Sequence, residues 1–182
     1  AIAVADANTL AGVVRAHIAA KEAGIQFIVG ARLILADAPS LLAYPTSRAA
    51  YGRLCCLLTR GQRRAEKGDC FLFLDDVAEH ADGLIFIALR GENNPGEDRP
   101  DDARFEEELL RLKGSLRGPL YLAAHHSYSG ADRIRIEISA RVAARTHIPL
   151  IATGAVLYHA PKRRPLQDVL TCIREKCTLA HA

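Results

Sequence analysis

The chain has 182 residues, 49% of them hydrophobic and 25% charged, with a formal net charge of +3. That length supports one domain with a sizeable core, the composition is that of a globular protein rather than a disordered or fibrous one, and the charge is too weak to imply nucleic-acid binding by itself. No apolar run approaches the roughly 20 residues that cross a bilayer, no signal-peptide pattern opens the chain, and the absence of Met predicts that a segment ahead of Ala1 has been removed or left out.

Residues 2–5 (IAVA) read as a strand. Asn8 or Thr9 then stands where a helix cap belongs, and Leu10, Val13, Val14, His17 and Ile18 share one face of the helix that follows. Gly24 is placed to stop it. Residues 25–29 predict a second strand, which 32–35 extend or pair with. Residues 41–44 predict a short strand, after which Thr46 or Ser47 caps a helix carrying Ala50, Leu54, Leu57 and Leu58, with Gly61 as its end. A short helix is expected over 75–81. Residues 84–89 (LIFIAL) are continuously apolar, which suits a strand covered on both faces.

The segment 90–102 (RGENNPGEDRPDD) is acidic and rich in Gly, Pro and Asn, the composition of an exposed loop. Beyond it the pattern predicts a helix over 103–113, a strand over 119–124, a helix over 131–146, a strand over 149–152 and a helix over 165–176. Strand and helix alternate, so the class is α/β with a parallel sheet or barrel. Five cysteines stand at 55, 56, 70, 172 and 177. The number is odd and no CxxC occurs, so they form neither a disulfide framework nor a zinc pattern and are expected as free thiols in a reducing cytoplasm. The basic clusters at Arg60, Arg63 and Arg64 and at Lys162-Arg163-Arg164 read as solvated surface.

Parallel α/β domains carry their chemistry at the C-terminal ends of strands. Those ends hold Asp6-Ala7-Asn8, Gly30-Ala31-Arg32, His125-His126 and Gly154-Ala155-Val156-Leu157. His125 and His126 are the residues best suited to bind a transition metal or move a proton. Adjacent side chains point apart, however, and neighbouring ligands would be needed, so an ordinary polar role is the simpler expectation. Asp6 could bind a metal or cap the following helix, and capping is preferred. His159 precedes Ala160-Pro161 in what reads as a turn. No GxSxG elbow, P-loop or GxGxxG is present, and no base can be assigned to activate Cys55 or Cys56.

The C-terminal residues Tyr158-His159-Ala160-Pro161, Arg163-Arg164 and the run from Leu166 to Glu175 (LQDVLTCIRE) resemble the string that closes the PHP domain of C-family bacterial DNA polymerases. The run from Asn8 to His17 (NTLAGVVRAH) resembles the segment after that family's Thr-Asp-His-Asp motif. The stretch from Ala50 to Thr59, with Lys67-Gly68, also fits. The wording of these strings points to the error-prone, translesion branch. The resemblance covers nearly the whole chain, more loosely over 90–148. It implies a distorted (β/α)7 barrel, with the family's first strand and its His-x-His ahead of Ala1. Residues 1–182 would then be one PHP domain fragment, followed in the parent by palm, fingers and thumb. Active members of the family hold three metals at the strand ends and hydrolyse phosphoesters, including 3′–5′ exonuclease proofreading.

Carried over position by position, the resemblance implies a lost site. Thr-Asp-His-Asp appears as Ala5-Asp6-Ala7-Asn8. The Glu of the family's Gly-Cys-Glu string falls at Arg32, and the late Asn-Asp-x-His reads Gly154-Ala155-Val156-Leu157. The implied function is therefore a non-catalytic module of a DNA-directed DNA polymerase, a nucleotidyltransferase acting in replication past DNA damage. The module would need no cofactor of its own, while the parent polymerase would use Mg2+. Its partners would be the parent's other domains, DNA through the parent, and other translesion-synthesis proteins, in the cytoplasm and away from membranes. Lys162, Arg163 and Arg164 would face those domains or DNA. Two alternatives remain: a metal-dependent phosphoesterase or 3′–5′ exonuclease using Asp6, His125, His126 and His159, and a free-standing protein-binding module.

Overall fold

A computed structural model describes residues 1–90, 102–126, 132–154 and 156–179. In chain order it contains β1 (Ile2–Ala7), α1 (Val13–Glu22), β2 (Phe27–Leu33), β3 (Leu41–Pro45), α2 (Arg48–Arg63), α3 (Leu74–Glu79), β4 (Leu84–Ala88), α4 (Asp102–Ser115), β5 (Leu120–Ala124), α5 (Asp132–Thr146), β6 (Leu150–Ala152), a 3-10 turn (Pro161–Arg163) and α6 (Arg164–Glu175). Every element expected from the periodicity is present. Of the expected loop over 90–102, residues 91–101 lie outside the described residues and Asp102 already belongs to α4.

The strands form one six-stranded sheet in the order β1-β2-β3-β4-β5-β6, curled into a half-barrel. Each strand lies beside its sequence neighbour, as in a barrel wall, without the order reversal of a doubly wound sheet. One expectation fails. The sheet is not parallel throughout, because β3 runs antiparallel to both β2 and β4, while β1–β2, β4–β5 and β5–β6 are parallel. Residues 34–40 between β2 and β3 are too few for a helical crossover, which takes about a dozen or more.

The main core lies between the convex face of the sheet and its helices. There Leu54 and Leu57 of α2, Leu109 and Leu112 of α4 and Val142 of α5 bury themselves against Leu33, Leu41, Leu84, Phe86 and Leu122. A smaller cluster fills the concave face, where Ile87, Leu89 and Ala123 meet Leu42, Tyr44, Tyr121 and Ile151. Strand β4 is thus covered on both faces, as its unbroken apolar run requires. Among the described residues no helix is long and apolar enough to cross a membrane.

Helix ends show where local signals hold and where packing overrides them. Ser47 caps α2 by accepting the Ala50 N–H at 3.1 Å, whereas Thr46 donates its hydroxyl to the Gly83 carbonyl at 2.8 Å. Gly24, at φ +66°, ends α1, and the Ile25 N–H closes back on the Ala20 carbonyl at 2.9 Å. Asn8 and Thr9 do not cap α1, which begins at Val13 behind Gly12 with no side-chain cap. Nor is its apolar face fully covered: Val13 is buried, but Val14 and Ile18 are 69% and 53% exposed. Helix α1 packs on β1 and β2 at the edge of the sheet.

Gly61 does not end α2, which continues to Arg63. It is a point of close approach, where a Cβ would lie 2.6 Å from both Cys70 Sγ and Leu72 Cδ2. Gly61→Val is therefore expected to cost about 1–3 kcal/mol through overpacking, seen as a lower urea midpoint. A midpoint equal to that of the parent chain would show that α2 does not pack there as described.

Candidate functional site

Because β1, β2, β4, β5 and β6 point the same way, their C-terminal ends share one rim of the half-barrel. Asp6, Ala7 and Asn8 close β1, with Ala7 in register with Arg32 of β2. Asp6 Oδ2 accepts the Gly12 N–H at 3.0 Å, so its carboxylate satisfies an amide at the entrance to α1. Asn8 sits in the left-handed region at φ 52°, a conformation asparagine tolerates. Its N–H donates to the Arg32 carbonyl at 2.8 Å. Its Oδ1 accepts the Ile34 N–H at 2.9 Å, and its carbonyl accepts Gln62 Nε2 at 3.3 Å. Asn8 therefore staples the end of β1 to β2 and to the end of α2.

Register places Arg32 on one cross-sheet row with Ala7, Leu42, Ile87 and Tyr121. That row carries the apolar lining of the concave face, so a half-buried guanidinium enters the rim of an apolar wall. Burial in the same wall pushes the Tyr44 hydroxyl pKa upward. Farther along the rim, Arg90 pairs with Asp102 and lies 5.3 Å from the centre of the Phe105 ring. His125 is half-buried and His126 is exposed. His126 Nδ1 stands 3.5 Å from Asp132 Oδ2, a carboxylate 4% exposed at the start of α5. His159 is exposed, Leu157 is exposed, and Ala155 lies outside the described residues.

Few metal donors stand at the positions the resemblance assigns to ligands. The Asp6 carboxylate is engaged by a helix amide, Ala7 offers no donor, the Asn8 amide oxygen is used by the backbone, and Arg32 brings positive charge to the same row. Among the described residues no group of three or more His, Cys, Asp or Glu side chains converges.

One basic cluster is placed as expected: Lys162, Arg163 and Arg164 are exposed, in the 3-10 turn and at the first residue of α6, and Arg164 Nε lies 3.9 Å from Asp168. Arg60 and Arg64 are not simply solvated. Arg64 Nη2 donates to Asp76 Oδ1 at 2.8 Å and Arg60 Nη1 at 3.3 Å, and Arg60 also pairs with Glu79. Cys56, Thr59, Arg60, Arg63 and Arg64 line a depression of about 520 Å³.

Two features were missed by sequence reasoning. One is Asp76, buried at the start of α3. Burial would raise its pKa, but hydrogen bonds from Arg64, the Phe73 N–H and Arg60 outweigh that and hold the carboxyl below its ordinary value. The other is the outer stripe of α6. Leu166, Val169, Leu170 and Ile173 recur at helical spacing, and each is at least 40% exposed. Both could have been noticed. Asp76 is an acidic residue in the first turn of a helix, and the α6 stripe is visible as a period.

No protein-family model matches the chain. It is 45% identical over its full length to the error-prone DNA polymerase of Caulobacter vibrioides, and 43% identical to error-prone DNA polymerase 1 of Rhizobium meliloti. Over 98% of its length it is 46% identical to the error-prone DNA polymerase of Brucella abortus. In each case it spans 16% of the relative's length. Among solved structures, it resembles a protein described as a metal-dependent phosphoesterase from Bifidobacterium adolescentis, at a TM-score of 0.53 and 16% identity, covering 84% of this chain and 74% of that one. It also resembles an amidohydrolase from Chromobacterium violaceum, at a TM-score of 0.57 and 14% identity, covering 87% and 77%.

Proposed function

We propose that this chain, homologous along its whole length to one segment of the error-prone DNA polymerases and built on the PHP phosphoesterase fold, is a non-catalytic module of such a polymerase. The observation that carries this reading is the present employment of the former ligand positions. Asp6 holds the entrance to α1, Asn8 staples β1 to β2 and α2, and Arg32 brings a cation where the family has a carboxylate. Asp6 and Asn8 serve the scaffold, and Ala7 and Arg32 bring no side chain that can ligate a metal. The module needs no metal of its own. Mg2+ belongs to the nucleotide-transferring palm of the parent, which works in the cytoplasm with DNA and other translesion-synthesis proteins.

The exposed stripe of α6 supports a docking role, since an apolar helix face of this kind gains by being covered. The basic residues point the same way. Cations at the N-terminal end of a helix oppose its dipole at a cost of about 0.3–1 kcal/mol each, so Lys162 and Arg163 do not serve α6 itself, whereas Arg164 lies beside Asp168 one turn on. Lys162 and Arg163 face neighbouring domains of the parent or DNA phosphates.

The test is made in the full-length polymerase containing this segment. Leu166→Asp combined with Ile173→Asp is expected to lower primer extension at least tenfold and to reduce thermal stability, while Arg32→Ala leaves extension unchanged. Elemental analysis is expected to find no metal that requires His125 or His126. A polymerase that folds and extends primers normally without residues 1–182 would refute the scaffold role. A tightly bound metal together with DNA hydrolysis in manganese, both lost in His125→Ala, would establish a phosphoesterase instead.

A further inference from the structure

The C-terminal end of α6 holds a pair of thiols with no part in the module reading. Lys176 adopts the left-handed conformation at φ 53°, which turns the chain back on the helix. The Cys177 N–H then donates to the Cys172 carbonyl at 3.0 Å. A hydrogen bond of this kind across a left-handed helix end commonly sets the two side chains side by side. Residues joined by such a bond lie about 5–6 Å apart at Cα, the separation a disulfide bridges without backbone movement. Cys172 is buried and Cys177 is half-buried.

We infer that Cys172 and Cys177 form a site of reversible oxidation, in which hydrogen peroxide converts the thiol pair to a disulfide that closes the end of α6. The two sulfurs have unequal roles. Desolvation, then contact with Cys177 and the charge of Asp168, push the Cys172 thiol upward, so it is the weaker first nucleophile. Cys177, the more accessible of the two, attacks the peroxide. Its sulfur takes one oxygen, the O–O bond breaks, and water leaves behind a Cys177 sulfenic acid. The Cys172 sulfur then attacks the Cys177 sulfur, the S–O bond breaks, and the departing hydroxide takes the Cys172 proton. Two thiols are oxidised, and one peroxide is reduced to two waters.

The other cysteines are built differently. Cys55 and Cys56 are consecutive on α2, so their side chains diverge around the helix. Cys70 is pushed upward by burial and packs against Gly61. They are internal controls for selectivity. Closure of the ring would tether residues 177–179 to α6 and so fix the direction in which the chain leaves that helix.

The experiment treats the full 182-residue chain with one equivalent of hydrogen peroxide, blocks remaining thiols with iodoacetamide, and reads a tryptic digest by mass spectrometry without reduction. Cleavage after Arg174 and Lys176 separates the two cysteines unless a disulfide joins them. The expected product is the linked pair of peptides, released by dithiothreitol, with Cys55, Cys56 and Cys70 alkylated. In Cys172→Ser, dimedone should trap a sulfenic acid at Cys177. In Cys177→Ser, Cys172 should remain a thiol. Recovery of Cys172 and Cys177 as alkylated thiols while Cys56 is oxidised, or their pairing with other cysteines instead, would overturn the proposal. Because the readout is a covalent linkage, it is independent of whether the chain serves a polymerase.

Discussion

Phe86→Ala is expected to remove about 3–5 kcal/mol of folding free energy, a large part of the ~5–15 kcal/mol that stabilises an ordinary domain. Phe86 is 0% exposed and stands in the middle of β4, which has a strand on each side. Its ring is part of the cluster that joins the sheet to α2 and α4. Its N–H donates to the Pro119 carbonyl at 2.9 Å, so the backbone is fixed to β5 and cannot collapse into the space an alanine would leave. The cost is therefore the lost transfer of the ring together with the cavity that remains. Urea denaturation should show a lower midpoint at an unchanged slope. Phe71, 53% exposed, supplies the contrast, because Phe71→Ala is expected within about 0.5 kcal/mol of the parent chain. Equal losses at the two positions would mean that β4 is not the buried centre of the sheet.

The same strand shows how far the sequence could be read. LIFIAL is apolar without alternation, and that pattern has one common cause, burial on both faces. The direction of β3 follows from no such pattern. Its residues look like any short strand, and only the brevity of 34–40 forces the chain to return antiparallel to β2. Gly61 failed as a helix stop for a related reason. A glycine that ends a helix and a glycine that admits Cys70 and Leu72 look alike until the partner segment is placed. The candidate site divides in the same way. That Ala7 and Arg32 could not ligate a metal is plain from their side chains. The present work of Asn8 depends on Ile34 and Gln62, 26 and 54 positions away, and no local spacing announces it. The missed stripe on α6 was legible in principle, since its apolar period is strong, but exposure rather than burial of that face could be known only from the packing.

Asp76→Asn is expected to cost about 2–3 kcal/mol at pH 7, through loss of charge-assisted hydrogen bonds around a buried carboxylate. The loss falls below the ~3–5 kcal/mol of a fully buried broken pair, because the Arg60 and Arg64 side chains remain 38% and 41% exposed and water screens them. The carboxylate does several things at once. It accepts the Phe73 N–H at 3.1 Å and so caps α3. It also binds the guanidinium of Arg64, which lies 5.7 Å from the centre of the Phe73 ring. Through Arg60 and Arg64 it ties the end of α2 to α3. The pH dependence follows from the direction of its shift. Desolvation raises the pKa, but hydrogen bonds from Arg64, Phe73 and Arg60 prevail, and the folded value lies below the unfolded one. The stabilisation is therefore complete above the unfolded value of about 4 and is lost as pH falls through the folded value. Denaturation curves collected from pH 7 down to pH 3 should show the parent chain losing its advantage over Asp76→Asn below about pH 4, so that the two converge in acid. A difference between them that stays constant across that range would show that Asp76 acts through its shape and hydrogen bonding alone, without its charge.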